Sequence, residues 1–212
     1  MTRPHESAHG GSNASPTAHL VLMRHGETTW NTLGTVQGQS PGSVLTALGR
    51  SQVRATIAQL SGRVDAVVSS DLARAVESAH IVATALGLSA RVDPGLRERN
   101  FGVLEGLPGA ALVPSVEGIS GGVVVDENAH PANGESLRDL YERSVRAARR
   151  VGQRRPGQRT LVVTHGGPIR MIRAYADGRP LMGCAWDPVA NASLWPVEIE
   201  LAPELELDGL AP

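Results

Sequence analysis

Two histidines stand in the same local setting at distant points of the chain. His25 follows the apolar run 20–23 and Arg24, His165 follows the apolar run 160–164, and a glycine comes directly after each histidine. Short apolar runs of this kind predict strands that are buried in a parallel sheet. Because ligands bind at the carboxyl edge of open α/β sheets, we expect the two imidazoles to line one site.

The chemistry open to such a site follows from the residue types around it. A neutral imidazole is a nucleophile near pH 7 without a metal ion. Arg24 adjoins His25, and Arg74 comes soon after another apolar run, at the start of a predicted helix. The planar guanidinium group binds phosphate oxygens through paired hydrogen bonds. Together these residues suit phosphoryl transfer, in which the protein must neutralise a spreading negative charge.

The elements that must position these residues alternate along the chain. Apolar spacing predicts strands at 20–23, 64–68, 90–92, 160–164 and 194–201, and helices over 45–60, 72–86 and 135–152. Pro168 suits the first turn of a further helix. Ser70 or Asp71 is the predicted N-cap of the second helix, and Gly87 its C-terminal stop. The alternation predicts an α/β fold of one domain, a three-layer αβα sandwich with a mostly parallel central sheet.

The composition also changes along the chain. Residues 1–18 are rich in Ser, Ala, Gly and His and are predicted to form a disordered leader, and residues 204–212 an acidic tail. The domain itself is expected over 19–203. Within it, residues 107–134 show no periodicity and contain neither arginine nor lysine, so we interpret them as a lid-like insertion.

Charge and cysteine content narrow the class of protein. The net charge of −1 gives no electrostatic footprint for nucleic acid or an anionic membrane. The single cysteine, Cys184, excludes an intrachain disulfide and a thiolate metal site. No apolar run reaches the roughly 18 residues of a membrane-spanning helix. We therefore expect a cytoplasmic protein with a small-molecule partner and neither cofactor nor metal, and we leave a homodimer open.

Ordered motifs make this chain resemble the histidine phosphatase superfamily, also called phosphoglycerate mutase-like. The blocks that carry the resemblance follow in the family's order: Leu22-Met23-Arg24-His25-Gly26-Glu27-Thr28-Thr29-Trp30-Asn31, Gln37-Gly38, Leu45-Thr46 with Gly49, Ser69-Ser70-Asp71-Leu72-Ala73-Arg74-Ala75, Leu96-Arg97-Glu98-Arg99-Asn100-Phe101-Gly102, Glu105-Gly106, Gly134-Glu135-Ser136 and Thr164-His165-Gly166. Each block is weak alone, whereas their order over about residues 20–200 is specific.

The resemblance implies a catalytic set of His25, Glu98, Arg24, Arg74 and His165. In this set His25 receives the phosphoryl group as phosphohistidine, and the two arginines and His165 bind its oxygens. Gly166, at the start of the next helix, adds backbone N–H groups. Glu98 matches the position of the general acid, while the competing carboxylate Glu27 better suits a role in fixing the nucleophile loop.

Further residues are candidates for contact with the substrate. Asn31, Gln37 and Gly38 match positions where relatives hold phosphate or substrate oxygens, although polar turn residues explain them nearly as well. Arg99 either reaches a second anionic group of the substrate or is solvated. Where relatives often have Asp-x-Pro-Leu-Thr, this chain has the stretch 41–46, which lacks the acidic residue. Substrate contact in that loop therefore stays open.

Three functions remain in view. The insertion carries Glu117, Asp126 and Glu127 but neither arginine nor lysine, so it would repel a bisphosphate. The triplet 134–136 resembles the phosphatase branch, whereas the block 96–102 resembles the mutase form. We predict a phosphatase acting on a small phosphomonoester, with a bulky, partly apolar ester favoured by the apolar insertion. The alternatives are a phosphoglycerate mutase-type enzyme and a catalytically inactive binding protein.

Overall fold

The computed structural model describes residues 16–111, 119–120, 123–124, 126–184 and 187–201. Most of the predicted leader, part of the predicted insertion and the predicted acidic tail lie outside the described residues. The first strand begins at Thr17, before the predicted domain start at residue 19. It begins earlier because Thr17 pairs with Glu200, and backbone pairing of this kind does not depend on apolar side chains.

The described strands are β1 (Thr17–Arg24), β2 (Ala66–Ser69), β3 (Ala90–Val92), β4 (Ile119–Ser120), β5 (Val123–Val124), β6 (Arg159–Thr164) and β7 (Leu194–Glu200). Five of them form one sheet, in the order β3-β2-β6-β1-β7. The first four in the sheet are parallel, and β7 runs antiparallel to β1 along one edge. The short strands β4 and β5 pair only with each other. The predicted mostly parallel sheet is confirmed.

Helices cover both faces of this sheet. They are α1 (Thr29–Thr32), α2 (Ala47–Leu60), α3 (Ala73–Leu86), α4 (Leu137–Gln153), α5 (Gly166–Ala176) and α6 (Leu181–Cys184). Val53 of α2 and Ala79 of α3 share one core cluster with Met23, whereas Ala148 of α4 and Ile169 of α5 share the other with Leu22. Successive residues of β1 thus point to opposite cores, which explains its continuous apolar run. The three-layer sandwich is confirmed.

The helix caps follow local rules except beside the site. Thr46 caps α2, where its hydroxyl accepts a hydrogen bond from the Gly49 N–H at 2.9 Å. The predicted cap of α3 by Ser70 or Asp71 is wrong: the N-cap is Leu72, which has no side chain to accept such a bond. Tertiary partners hold the two polar side chains instead, because Asp71 pairs with an arginine and Ser70 with His165.

The topology brings three strand ends together. In the register of the sheet Arg24 of β1 lies beside Thr164 of β6, and Ser69 of β2 lies beside Val163. The residues that directly follow these strands, His25, His165 and Ser70, therefore emerge at one edge.

Candidate active site

His25 lies in the loop that follows β1 and is only 2% exposed. Its Nδ1 is 2.7 Å from the carbonyl oxygen of Gly26, so Nδ1 carries the hydrogen and donates it to this oxygen. This tautomer leaves the lone pair on Nε2. Burial, and then the charges of Arg74 and Arg24, hold the pKa of His25 well below its usual range. The side chain is thus a neutral imidazole, the form that acts as a nucleophile.

The loop that carries His25 is clamped at Gly26. A methyl group on Gly26 would overlap the carbonyl oxygen of Gly49 at the start of α2, and a methyl group on Gly49 would overlap the carbonyl oxygen of Glu27. The N–H of Gly26 also donates to the hydroxyl of Ser78 on α3, at 3.2 Å. The two backbone segments can lie this close because both positions are glycine. The close contact places the nucleophile between β1, α2 and α3.

Arg24 and Arg74 are the two arginines predicted to bind the phosphoryl group, and each uses only part of its guanidinium in hydrogen bonds to the protein. Nη2 of Arg74 donates to the carbonyl of Gly38 at 2.6 Å, and Nη1 of Arg24 donates to the carbonyl of Val189 at 2.5 Å. Among the described residues the buried Nε atom of each arginine has no partner. Burial lowers the pKa of Arg74 to about 10, so its guanidinium stays charged at neutral pH. Buried donors without acceptors suit an anionic ligand.

His165 is fully buried as the N-cap residue of α5, and its ring centroid is 5.1 Å from that of His25. Its Nε2 is 2.9 Å from the hydroxyl oxygen of Ser70, which itself accepts a hydrogen bond from the Leu72 N–H. The Ser70 hydroxyl is thus free to donate to Nε2, leaving the hydrogen of His165 on Nδ1. Within the described residues Nδ1 has no partner, so it is a further donor for a bound anion.

Burial is also the main reason that His165 is neutral. It holds the pKa of His165 well below its usual range, and the positive charges of Arg74 and Arg24 act in the same direction. Gly166 begins α5 directly after this residue, as predicted, so the N-terminus of the helix faces the same edge of the sheet.

Glu98 lies in an irregular segment after a 3-10 turn at Pro94–Leu96. Its Oε1 accepts hydrogen bonds from the N–H groups of Arg99 at 2.8 Å and Gly167 at 3.1 Å. Its Oε2 accepts only the longer bond from Gly167, at 3.2 Å, and is the oxygen better placed to carry a proton. The negative charge of Glu98 acts on both Arg24 and Arg74, opposing the effect of burial on their pKa values. The carboxylate is therefore within electrostatic range of both cations.

The competing carboxylate, Glu27, supports the loop. It accepts a hydrogen bond from the hydroxyl of Thr46 at 2.8 Å, and its own N–H donates to Oε1 of Gln52 at 2.9 Å. Both partners belong to α2 or its N-cap. These contacts agree with the predicted role of Glu27 in fixing the geometry of the nucleophile loop.

Asn31 and Gln37 are joined through the hydroxyl of Thr28. The oxygen of this hydroxyl lies 3.0 Å from both Oδ1 of Asn31 and Oε1 of Gln37, so its one hydrogen is donated to one of them at a time. Oδ1 of Asn31 also accepts a bond from Nδ2 of Asn191, and Oε1 of Gln37 accepts one from the hydroxyl of Ser43. Both amides therefore hold loops beside His25. Contact of these residues, and of Gly38, with a substrate stays a prediction.

Arg99 is buried, with 7% of its surface exposed, so the solvated alternative is wrong. Nε of Arg99 donates to the carbonyl of Glu135 at 2.8 Å, and Nη2 donates to the carbonyl of Ala129 at 3.3 Å. Its guanidinium also lies 5.4 Å from the ring centroid of Phe101. The side chain thus ties the Glu98 segment to the end of the predicted insertion, and its contact with a second anionic group remains a prediction.

Sequence reasoning missed four polar residues that support the site. Ser70 and Ser78 hold His165 and the nucleophile loop, and Nδ2 of Asn191 donates to the carbonyl of His25 at 3.2 Å. Arg143, on α4, donates to the backbone beside Glu98. Of the four, only Ser70 lies inside one of the motif blocks, and there the local rule for helix caps predicted a different role for it.

Among the described residues no group of three His, Cys, Asp or Glu side chains could hold a metal ion. No helix in the described part of the chain is long and apolar enough to cross a membrane.

The sequence model of the histidine phosphatase superfamily (branch 1) matches residues 20–202. The chain belongs to this superfamily. It is 38% identical over 165 residues to the metal-independent phosphoserine phosphatase of Arabidopsis thaliana, covering 74% of this chain and 68% of that protein. Phosphoglycerate mutase-like protein 4 of the same plant is 38% identical over 169 residues, covering 77% of this chain and 72% of its relative.

A solved structure shows the same fold. The mycobacterial glucosyl-3-phosphoglycerate phosphatase complexed with VO3 superposes with a TM-score of 0.73 at 30% identity, covering 84% of this chain and 92% of the other. The family and the phosphatase class predicted from the motifs are therefore confirmed. In this histidine phosphatase the site residues of the motifs lie together at one edge of the sheet.

Proposed function

We propose that this histidine phosphatase hydrolyses a small phosphomonoester through a phosphohistidine on His25. The observation that carries the proposal is the tautomer of His25: Nδ1 is bound to the Gly26 carbonyl, so Nε2 presents its lone pair. Unmet donors of Arg24, Arg74 and His165 belong to the same site. This combination provides a nucleophile and a cradle for the charge of the phosphoryl group.

In the first step Nε2 of His25 attacks phosphorus, and the bond between phosphorus and the ester oxygen breaks. Glu98, protonated on Oε2, gives its proton to the leaving oxygen, and the alcohol departs. The two arginines and Nδ1 of His165 bind the phosphoryl oxygens throughout, and their positive charge and hydrogen bonds stabilise the transition state.

In the second step water attacks the phosphohistidine. Glu98, now a carboxylate, takes a proton from this water as the bond between phosphorus and Nε2 breaks. The electron pair of that bond returns to Nε2, phosphate is released, and Glu98 is again protonated for the next ester. No metal or cofactor takes part in either step.

Hydrolysis is favoured over a mutase reaction by the segment 107–134. A mutase must retain a bisphosphate, and this segment has no arginine or lysine with which to do so. The relatives named as phosphatases of phosphoserine and glucosyl-3-phosphoglycerate support the same choice. The preference for a bulky, partly apolar ester, the cytoplasmic location and the homodimer stay predictions.

The test compares two reactions of the purified protein. Phosphate release from a panel that includes phosphoserine and glucosyl-3-phosphoglycerate is measured beside the interconversion of 2- and 3-phosphoglycerate, with and without added bisphosphoglycerate. We expect release to dominate and to survive EDTA. His25→Ala is expected to lose about 10⁴-fold or more in turnover, whereas His80→Ala, at an exposed position on α3, should not change it. Faster interconversion than release would establish the mutase alternative instead.

A further inference from the structure

After the 3-10 turn at Pro94–Leu96, no α-helix or strand holds the backbone that carries Glu98, and side chains bind its carbonyl groups. Its four consecutive carbonyl groups, 95–98, all accept hydrogen bonds from side chains. Three of these bonds come from Arg143, namely those to Gly95 at 3.0 Å, Arg97 at 2.9 Å and Glu98 at 3.2 Å. The fourth carbonyl, of Leu96, accepts from the hydroxyl of Thr164 at 2.6 Å. The Glu98 carbonyl also accepts a bond from Nε2 of Gln39 at 3.0 Å, so Arg143 binds three of the four carbonyl groups and shares that of Glu98 with Gln39.

Arg143 is itself fixed on the other side. Its Nε and Nη2 each donate to one carboxylate oxygen of Glu135, both at 2.8 Å, and the two side chains are 23% and 21% exposed. The same carboxylate accepts a hydrogen bond from the N–H of Asn100 at 2.9 Å. A forked pair of this kind fixes the plane of the guanidinium as well as its position.

A rigid helix stands behind this contact. Arg143 belongs to α4, whose N-terminus is closed by a capping box between Ser136 and Asp139 and whose apolar side packs on the sheet. Arg143 therefore transmits the position of α4 to the segment 95–98. Its charge also contributes to the lowered pKa of His165, after the larger effects of burial, Arg74 and Arg24, so it lies within electrostatic range of the site.

We propose that Arg143 is the positioning residue for the proton donor: it holds the backbone at residues 95, 97 and 98 so that the Glu98 carboxylate stays at the Gly167 N–H and at the leaving oxygen. This inference rests on the proposed function. Removal of Arg143 should impair protonation of the leaving group. The nucleophile should stay in place, because His25 directly follows β1 and none of its hydrogen bonds goes to residues 95–98.

The leaving group reports on that step. An alkyl phosphomonoester needs a full proton on its departing oxygen, whereas 4-nitrophenyl phosphate releases a stabilised phenolate. For Arg143→Met we expect kcat/KM for the alkyl ester to fall about 30- to 100-fold and that for 4-nitrophenyl phosphate to fall less than about 3-fold. Arg143→Lys keeps the charge but not the planar fork, so it should fall between wild type and Arg143→Met.

Arg150→Met is the matched control. Arg150 lies on the same helix and makes a forked pair with Asp93, just before the same segment, with bonds of 2.8 Å and 2.9 Å from its Nη2. Because its bonds run to a carboxylate and not to the carbonyl groups 95–98, its loss should leave the ratio of the two kcat/KM values unchanged.

Equal losses for the two esters in Arg143→Met, or the same change of ratio in Arg150→Met, would overturn the inference. If Arg143→Met does not fold, Arg143→Lys and Glu135→Gln supply the ratio, and an unchanged ratio in both variants would overturn it. A wild-type protein that hydrolyses neither ester would contradict the proposed function itself, which separates that failure from a failure of the role of Arg143 alone.

Discussion

The nucleophile half and the proton-donor half of the site are built in different ways. His25 and His165 follow directly on adjacent parallel strands, so the sheet register fixes their distance. Glu98 follows a 3-10 turn, and side chains from α4 and β6 hold the carbonyl groups before it. The sheet thus positions the residues that bind the phosphoryl group, and a network of side chains positions Glu98, the proton donor. Changes in the nucleophile half should lower the free energy of unfolding and the turnover of every ester. Changes in the proton-donor half should selectively slow proton transfer to the leaving group.

The largest effect is expected from Gly26→Ala in the nucleophile half. The added methyl group would overlap the Gly49 carbonyl, and two stretches of backbone cannot separate without disturbing α2. We expect the free energy of unfolding to fall by about 3 kcal/mol, with loss of turnover for all esters. Urea denaturation checks this, with Ser51→Ala on the exposed side of α2 as the control. Full stability in Gly26→Ala would show that the loop is not clamped.

Gly167→Ala makes the parallel change in the proton-donor half. Here the methyl group would overlap Oε1 of Glu98, which is the end of a flexible side chain and can move aside. We expect stability close to wild type and a loss of about 10²-fold in kcat/KM for alkyl phosphomonoesters, with a much smaller loss for 4-nitrophenyl phosphate. Equal losses for the two esters would contradict the separation of the halves.

A smaller effect is expected from pH, and it belongs to the nucleophile half. The pKa values of His25 and His165 are lowered in the folded protein, so below about pH 6.5 the unfolded chain binds protons that the folded chain does not. Stability should therefore be lost as pH falls from about 6.5 towards the folded pKa values, by up to roughly 1.4 kcal/mol per pH unit for each histidine.

His165→Gln should remove one of these two contributions. The slope of unfolding free energy against pH is measured by urea denaturation between about pH 6.5 and 5, above the range in which carboxylates titrate. The control is His80→Gln, at an exposed position on α3. A slope that His165→Gln leaves unchanged would show that this imidazole is not held neutral by the fold.

The sequence predicted the nucleophile half far better than the proton-donor half, for a physical reason. Apolar runs report strands that are buried on both faces, and the residue after such a strand is placed by topology alone. Glu98 was found by its motif, but its supports were not. Arg143 and Arg99 bond carbonyl groups of irregular segments, and no periodic pattern signals such contacts.

Ser70 illustrates the opposite error. Its position before an apolar helix satisfies the rule for an N-cap, yet its hydroxyl is hydrogen-bonded to His165, the residue that follows β6. A local rule cannot foresee that partner, because His165 is 95 residues away in the sequence. The functional site is therefore where local propensity and the fold disagree.

Phosphorylation of His25 is the measurement that tests the central claim most directly. The chain is mixed briefly with a phosphomonoester labelled in its phosphoryl group, quenched in alkali and digested with trypsin. The peptide 25–50 that begins after Arg24 contains His25 as its only histidine, so the assignment is unambiguous. We predict a phosphoryl group on this peptide that is stable in alkali and lost in acid. The His25→Ala variant, in which Glu98 is unchanged, should not carry it. Normal turnover without this adduct, or an acid-labile adduct on another histidine peptide, would contradict the account.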